Sequence, residues 1–150
     1  MRELLKPLQV YIVEDSPIIR RLLESTIEAA GAALVGHGDE AASAIADLSA
    51  LRPDLILIDL SLKSGSGFDV LDALRTLDPR PSAIKVVLTN HASEQFRSLS
   101  FRLGANGFFD KGSETSQVLA LINALAAEKR SRMDLPSSPI YSMRESESRK

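Results

Sequence analysis

The sequence predicts an α/β fold, a doubly wound five-stranded parallel sheet with helices on both faces. Three observations point to it. Short apolar runs and segments of helical spacing alternate along the chain as far as about residue 129. The runs Leu55-Ile56-Leu57-Ile58 and Val86-Val87-Leu88 do not alternate with polar residues, which marks strands buried on both faces. A chain of 150 residues, 44% hydrophobic and 25% charged, suits one compact domain able to bury its own core.

The first strand is expected over Leu8–Val13. Ser16-Pro17 follows, a cap residue with proline at the first helical position, and Ile19, Leu22, Leu23 and Ile27 form the apolar stripe of the first helix. Strands are then expected over Ala32–Gly36, Leu55–Ile58, Ile84–Leu88 and Gly107–Phe109, with helices between them over Asp39–Leu51, Gly67–Leu77 and Ser93–Leu103. The last helix follows Gly112-Ser113, with Ser113 as its cap, Val118, Leu121, Ile122 and Leu125 on one face, and an end between Ala126 and Lys129. Five βα units in succession make the fold flavodoxin-like. Residues 1–7 read as a lead-in and 8–129 as the domain. Residues 130–150, rich in Ser, Pro, Arg and Glu, read as a disordered tail too short and too polar for a second domain.

Composition narrows the function classes. With 18 Lys+Arg against 20 Asp+Glu the net charge is -2, which lacks the basic excess of a protein that binds nucleic acid directly. The absence of cysteine removes disulfide frameworks, thiolate metal sites and cysteine nucleophiles together. No apolar run approaches the roughly 20 residues of a membrane span, and Arg2, Glu3, Lys6 and Pro7 interrupt the stretch a signal peptide would need. A cytoplasmic protein without membrane contact is the expectation.

Ligands of open parallel sheets bind outside the carboxyl ends of the strands. Glu14-Asp15 follow the first strand, Asp59 the third, Thr89 the fourth and Lys111 the fifth. Three carboxylates at one sheet edge repel each other unless a hard divalent cation joins them, and Mg2+ fits that need. The remaining residues suit a phosphoryl group, because a carboxylate can form an acyl phosphate while Mg2+, an ammonium and a hydroxyl neutralise its oxygens. Taken singly, Asp59 and Asp15 also read as helix caps, Thr89 as a turn residue and Lys111 as a solvated charge. The joint placement favours the chemical reading.

The runs Val10-Tyr11-Ile12-Val13-Glu14-Asp15-Ser16, Pro53-Asp54-Leu55-Ile56-Leu57-Ile58-Asp59-Leu60, Gly65-Ser66-Gly67-Phe68, Val86-Val87-Leu88-Thr89 and Gly104-Ala105-Asn106-Gly107-Phe108-Phe109-Asp110-Lys111 carry a specific resemblance. Together they resemble the receiver domains of two-component response regulators, from about Leu8 to Ala127. The resemblance implies a (βα)5 receiver fold and a stand-alone bacterial signalling switch in a phosphorelay, not an enzyme. Asp59 would be the phosphoacceptor, and Asp15, Asp59 and the Ser61 backbone carbonyl would be direct Mg2+ ligands, with Glu14 holding the metal through water. Lys111 would pair with the phosphoryl group, Thr89 would move towards it, and Phe108 matches the aromatic switch position that turns inward.

The phosphodonor would be a histidine kinase or histidine phosphotransfer protein docking near the first helix, where Ile18 is the candidate exposed contact. Output would pass to a downstream protein through the surface of the fourth helix, fifth strand and fifth helix. The pattern also departs from the family. Gly112 replaces a usual proline, so no cis bond is expected at Lys111-Gly112, Asn90 stands where a small residue is frequent, and Leu62-Lys63 replaces Met-Pro. Ser61 and His91 occupy the positions where the family tunes access of water to the acyl phosphate, and phosphoryl lifetime does not follow from them.

Three other readings compete. An aspartate-dependent phosphatase of the haloacid dehalogenase type needs a second aspartate two residues after the nucleophile, where this chain has Ser61. A degenerate receiver acting only as a binding module sits badly with the complete set Glu14, Asp15, Asp59, Thr89 and Lys111. A receiver fragment of a DNA-binding regulator would need a helix-turn-helix, and none follows Ala127 in this sequence.

Overall fold

A computed structural model describes residues 6–134. The elements are β1 (Gln9–Val13), α1 (Pro17–Ala29), β2 (Ala33–Gly38), α2 (Ala41–Ala50), β3 (Leu55–Asp59), α3 (Gly67–Arg75), β4 (Ile84–Thr89), α4 (Glu94–Arg102), β5 (Gly107–Asp110) and α5 (Thr115–Asp134). All pairings are parallel and the strand order is β2-β1-β3-β4-β5, so the expected doubly wound sheet is present.

Side-chain alternation along the strands divides the interior into two cores. Tyr11, Val13, Ile56, Ile58 and Val87 face α2 and α3, where Ala44, Leu48, Val70 and Leu71 meet them. Val10, Ile12, Leu55, Leu57, Val86 and Leu88 face α1 and α5, packing on Leu23, Ile27, Val118 and Ile122. Every residue of β3 is therefore buried, which is why its sequence is continuously apolar up to Asp59.

Three expected details differ. Leu22 is 39% exposed, because the row Ile19, Leu23 and Ile27, spaced by four, is the one aimed at the sheet, and Leu22 lies about 100° round the helix from Leu23. The last helix begins at Thr115, so Ser113 is not its cap. The Asp110 carbonyl accepts both Ser113 N–H (3.3 Å) and Glu114 N–H (2.7 Å), which holds residues 111–114 in a turn. At its other end α5 continues to Asp134. No Gly or Pro intervenes before Pro136, Lys129 Nζ reaches Asp54 Oδ2 at 3.0 Å, Arg130 donates to the Ala30 carbonyl at the end of α1, and Arg132 pairs with Glu128. Residues 130–134 of the expected tail (130–150) therefore belong to this helix, and its remainder, 135–150, lies outside the described residues, as do residues 1–5 of the expected lead-in.

Tyr11 anchors α2 to the sheet. Its ring is fully buried and its hydroxyl donates to Asp47 Oδ2 at 2.7 Å. Burial, with the Asp47 carboxylate added to it, raises the phenol above its ordinary 10.0, so its stabilisation is complete below that pH and is lost as pH climbs past it. Tyr11→Phe is expected to cost about 1–2 kcal/mol at pH 8. The variant should also show a shallower fall in melting temperature between about pH 9 and 11 than the wild type, read by circular dichroism.

Candidate functional site

The strand order places the carboxyl ends of β1, β3, β4 and β5 side by side. Register pairs Val13 with Ile58, Asp59 with Leu88 and Thr89 with Asp110, so the residues at or just beyond those ends share one edge. Glu14, Asp59 and Thr89 are all buried there, and the Lys111 side chain is 5% exposed.

Capping does not account for the acids. Ser16, not Asp15, caps α1, its hydroxyl accepting Ile19 N–H at 3.4 Å. Ser66 caps α3 in a reciprocal box with Asp69, which leaves Asp59 out of that role. Glu14, Asp15 and Asp59 instead bring carboxylate oxygens within 4.8 Å of one another.

Lys111 Nζ closes the cluster, lying 2.9 Å from Glu14 Oε1 and 3.0 Å from Asp59 Oδ2. Backbone amides hold the same two acids as well. Ser16 N–H donates to Glu14 Oε2 at 3.1 Å, and Ser61 N–H donates to Asp59 Oδ1 at 3.2 Å. Thr89 Oγ1 accepts His91 N–H at 3.0 Å, so its hydroxyl proton is left to donate elsewhere. Burial pushes the Glu14 carboxyl up to about 7, with the Lys111 hydrogen bond opposing that shift and the Asp59 charge adding to it. For Lys111 burial works against the charged form, but contact with Glu14 and Asp59 outweighs it and the ammonium is held above its ordinary value.

Three carboxylates against one ammonium leave a local excess of negative charge with hard oxygen donors. That donor set fits Mg2+, whose preference is for oxygens at octahedral positions with several waters retained. Behind the site, Gly67 packs directly on β3. A Cβ there would lie 2.4 Å from the Asp59 carbonyl oxygen and 2.9 Å from Ile58 Cγ2, neither of which can move without shifting the buried strand. Gly67→Ala is expected to cost about 1–3 kcal/mol, measured as a lowered urea midpoint.

Glu14, Asp15, Asp59 and Lys111 thus come together, with Thr89 on the adjoining strand end. Ser61 contributes its N–H to Asp59. Ile18 is 76% exposed on α1, beside the acidic pair in sequence. Phe108 lies inward in the core, and the Lys111-Gly112 bond is trans, Asp78-Pro79 being the cis peptide among the described residues. Sequence reading missed Arg97, whose guanidinium lies 5.2 Å from the Phe101 ring centre and 5.9 Å from that of Phe108. Helical spacing of Arg97 and Phe101 was the available signal for the first contact; the second depends on how α4 meets β5.

Known proteins share this fold. The family model for the response regulator receiver domain matches residues 10–123. The chain is 34% identical over 119 residues to the nitrate/nitrite response regulator protein NarP of Escherichia coli, covering 79% of this chain and 54% of that protein. It spans about half the length of such curated relatives. Among solved structures it is similar to a LuxR-family two-component response regulator from Aurantimonas (TM-score 0.71, 26% identity, covering 96% of this chain and 99% of that one). The fold is also that of the receiver domain of sensor histidine kinase PA1611 from Pseudomonas aeruginosa, a structure with magnesium coordinated in its cleft (TM-score 0.69, 18% identity, covering 81% and 98%).

Proposed function

The chain belongs to the response regulator receiver domain family, and from that premise we propose that it is a phosphorylation switch whose phosphoacceptor is Asp59. The observation that carries the reading is Lys111 Nζ held between Asp59 and Glu14, with Asp15 in the same carboxylate cluster. The donor is a phosphohistidine on a histidine kinase or histidine phosphotransfer protein, and Ile18, exposed on α1, is a contact for it. Asp59 Oδ attacks phosphorus, an O–P bond forms, the P–N bond breaks, and the imidazole leaves with the electron pair.

Asp15, Asp59 and the Ser61 carbonyl are the residues that would hold Mg2+, with Glu14 acting through water. When bound, the metal neutralises charge on the phosphoryl oxygens. Lys111 supplies a second positive charge at the same place, and Thr89 offers its hydroxyl proton to a phosphoryl oxygen. Phosphoryl charge that draws Thr89 alters the packing of Phe108 and so the surface of α4, β5 and α5, through which a downstream protein is engaged. A cytoplasmic setting goes with this reading, and among the described residues no helix is long and apolar enough to cross a membrane.

The test is intact-protein mass after incubation with a small acyl-phosphate donor, with Mg2+ and with a chelator in its place. One phosphoryl group should be gained with Mg2+ and almost none without it. Equal gain under both conditions would remove the metal from the account, and no gain even from a phosphohistidine protein would remove the switch.

A further inference from the structure

We infer that Gly65 and Ala41 are positioning residues for the metal: their contact sets where the loop between β3 and α3 holds the Ser61 carbonyl, and through it the affinity for Mg2+. The inference rests on the site reading proposed above. The loop closes on itself through an antiparallel bridge between Ser61 and Ser66, and Gly67 N–H donates to the Leu60 carbonyl at 3.0 Å. Two backbone hydrogen bonds join its tip to the segment entering α2. Lys63 N–H donates to the Asp39 carbonyl at 3.0 Å, and Ala41 N–H donates to the Ser64 carbonyl at 2.9 Å.

The second bond satisfies an amide at the start of α2, where Glu40 offers no side-chain cap. The metal loop therefore does for α2 what Ser16 does for α1 and Ser66 for α3. Gly65 sits beside these bonds at φ +76°, and a Cβ on it would meet Ala41 Cβ at 2.6 Å. Ala41 cannot yield easily, because it is buried in the first turn of a helix packed on the core. A methyl group at Gly65 must push the loop away from α2. The bridge between Ser61 and Ser66 makes the loop too short to absorb that push at its tip, so Ser61 moves with it. Mg2+ demands near-octahedral oxygens, and a displaced ligand carbonyl is paid for in affinity.

The experiment is titration of the whole chain with Mg2+ alone, followed by amide chemical shifts, alongside melting temperatures without metal. Gly65→Ala is expected to raise the dissociation constant about tenfold or more. Moving the methyl across the contact, in Gly65→Ala with Ala41→Gly, should return it to within about threefold of wild type. The exchanged protein should still melt below wild type, because an L residue remains at a positive φ. Affinity recovered without stability is the signature of positioning, since a merely structural role would move both together. Should Gly65→Ala not fold, Ala41→Ser adds one oxygen at the same contact with Gly65 unchanged, and the same weakening is expected. A dissociation constant within about twofold of wild type in the folded single variant, or an exchanged protein as weak as that variant, overturns the inference. Asp15→Ala serves as the control. Wild-type Mg2+ affinity in that variant overturns the site reading itself, and the positioning role with it.

Discussion

Asp59→Asn is expected to take up no phosphoryl group from either a small acyl-phosphate donor or a phosphohistidine protein, a loss of at least about 100-fold against wild type in intact mass. With the amide oxygen kept on Ser61 N–H, the amide NH2 takes the place of the oxygen facing Lys111 Nζ, so that one contact is lost while Lys111 keeps Glu14 and the fold has no reason to change. What is lost is the anionic nucleophile. The same substitution should raise stability in the absence of Mg2+ by about 1 kcal/mol, because it removes one of three clustered carboxylates, two of which share a single ammonium. Opposite changes in phosphorylation and stability would separate a functional acid from one that serves only structure. Retained phosphorylation would move the acceptor elsewhere.

Lys111→Met is expected to have the largest effect on stability. The ammonium lies within 3.0 Å of both Glu14 and Asp59, and its removal leaves two buried carboxylates facing each other. Loss of one partner from a buried ion pair costs about 3–5 kcal/mol. Part of that cost is relieved by protonation, and Glu14 is the acid poised to take the proton, its carboxyl already lifted to about 7 by burial. Lys111 is what holds the Glu14 carboxyl down, so its loss lifts that carboxyl further, and the deficit should grow as pH climbs above about 7, where wild type releases the proton and the variant must still keep it. Added Mg2+ should restore part of the stability, since a divalent cation among the same oxygens replaces the missing charge. Urea unfolding at several pH values, with and without Mg2+, reads all three effects. A variant as stable as wild type in the absence of metal would show that Lys111 is a solvated charge after all.

Much of the fold was legible because burial on both faces writes itself into the sequence. Leu55 to Ile58 could be continuously apolar only in a strand covered by helices on both sides, and β3 is the central strand of the sheet. The candidate site was legible for a related reason: polar residues directly after such runs must lie at the sheet edge. Which side chains meet across that edge was less readable. Lys111 reaches Glu14 across 97 positions of sequence, and no local pattern encodes that contact.

Helix ends were harder still. Ser113 has the chemistry of a cap, but two hydrogen bonds to the Asp110 carbonyl delay α5 until Thr115. The far end of α5 is prolonged by Arg130 reaching Ala30, a contact with another helix that periodicity does not contain. Leu22 matched the apolar pattern and is nevertheless exposed, since pattern alone does not say how wide a face the sheet covers. The hydrogen bonds between the loop at Lys63-Ser64 and the start of α2 left no trace in sequence at all.

The measurement that bears most directly on the switch is chemical mapping of the phosphorylated residue. Borohydride reduces an acyl phosphate to the corresponding alcohol, turning a phosphorylated aspartate into homoserine, which peptide mass spectrometry then locates. After incubation with Mg2+ and donor, homoserine is expected at position 59, with Glu14 and Asp15 unchanged. Reduction at Asp15 or at an acid outside the cluster, in protein whose intact mass shows the phosphoryl group, would contradict the assignment of Asp59 as the phosphoacceptor.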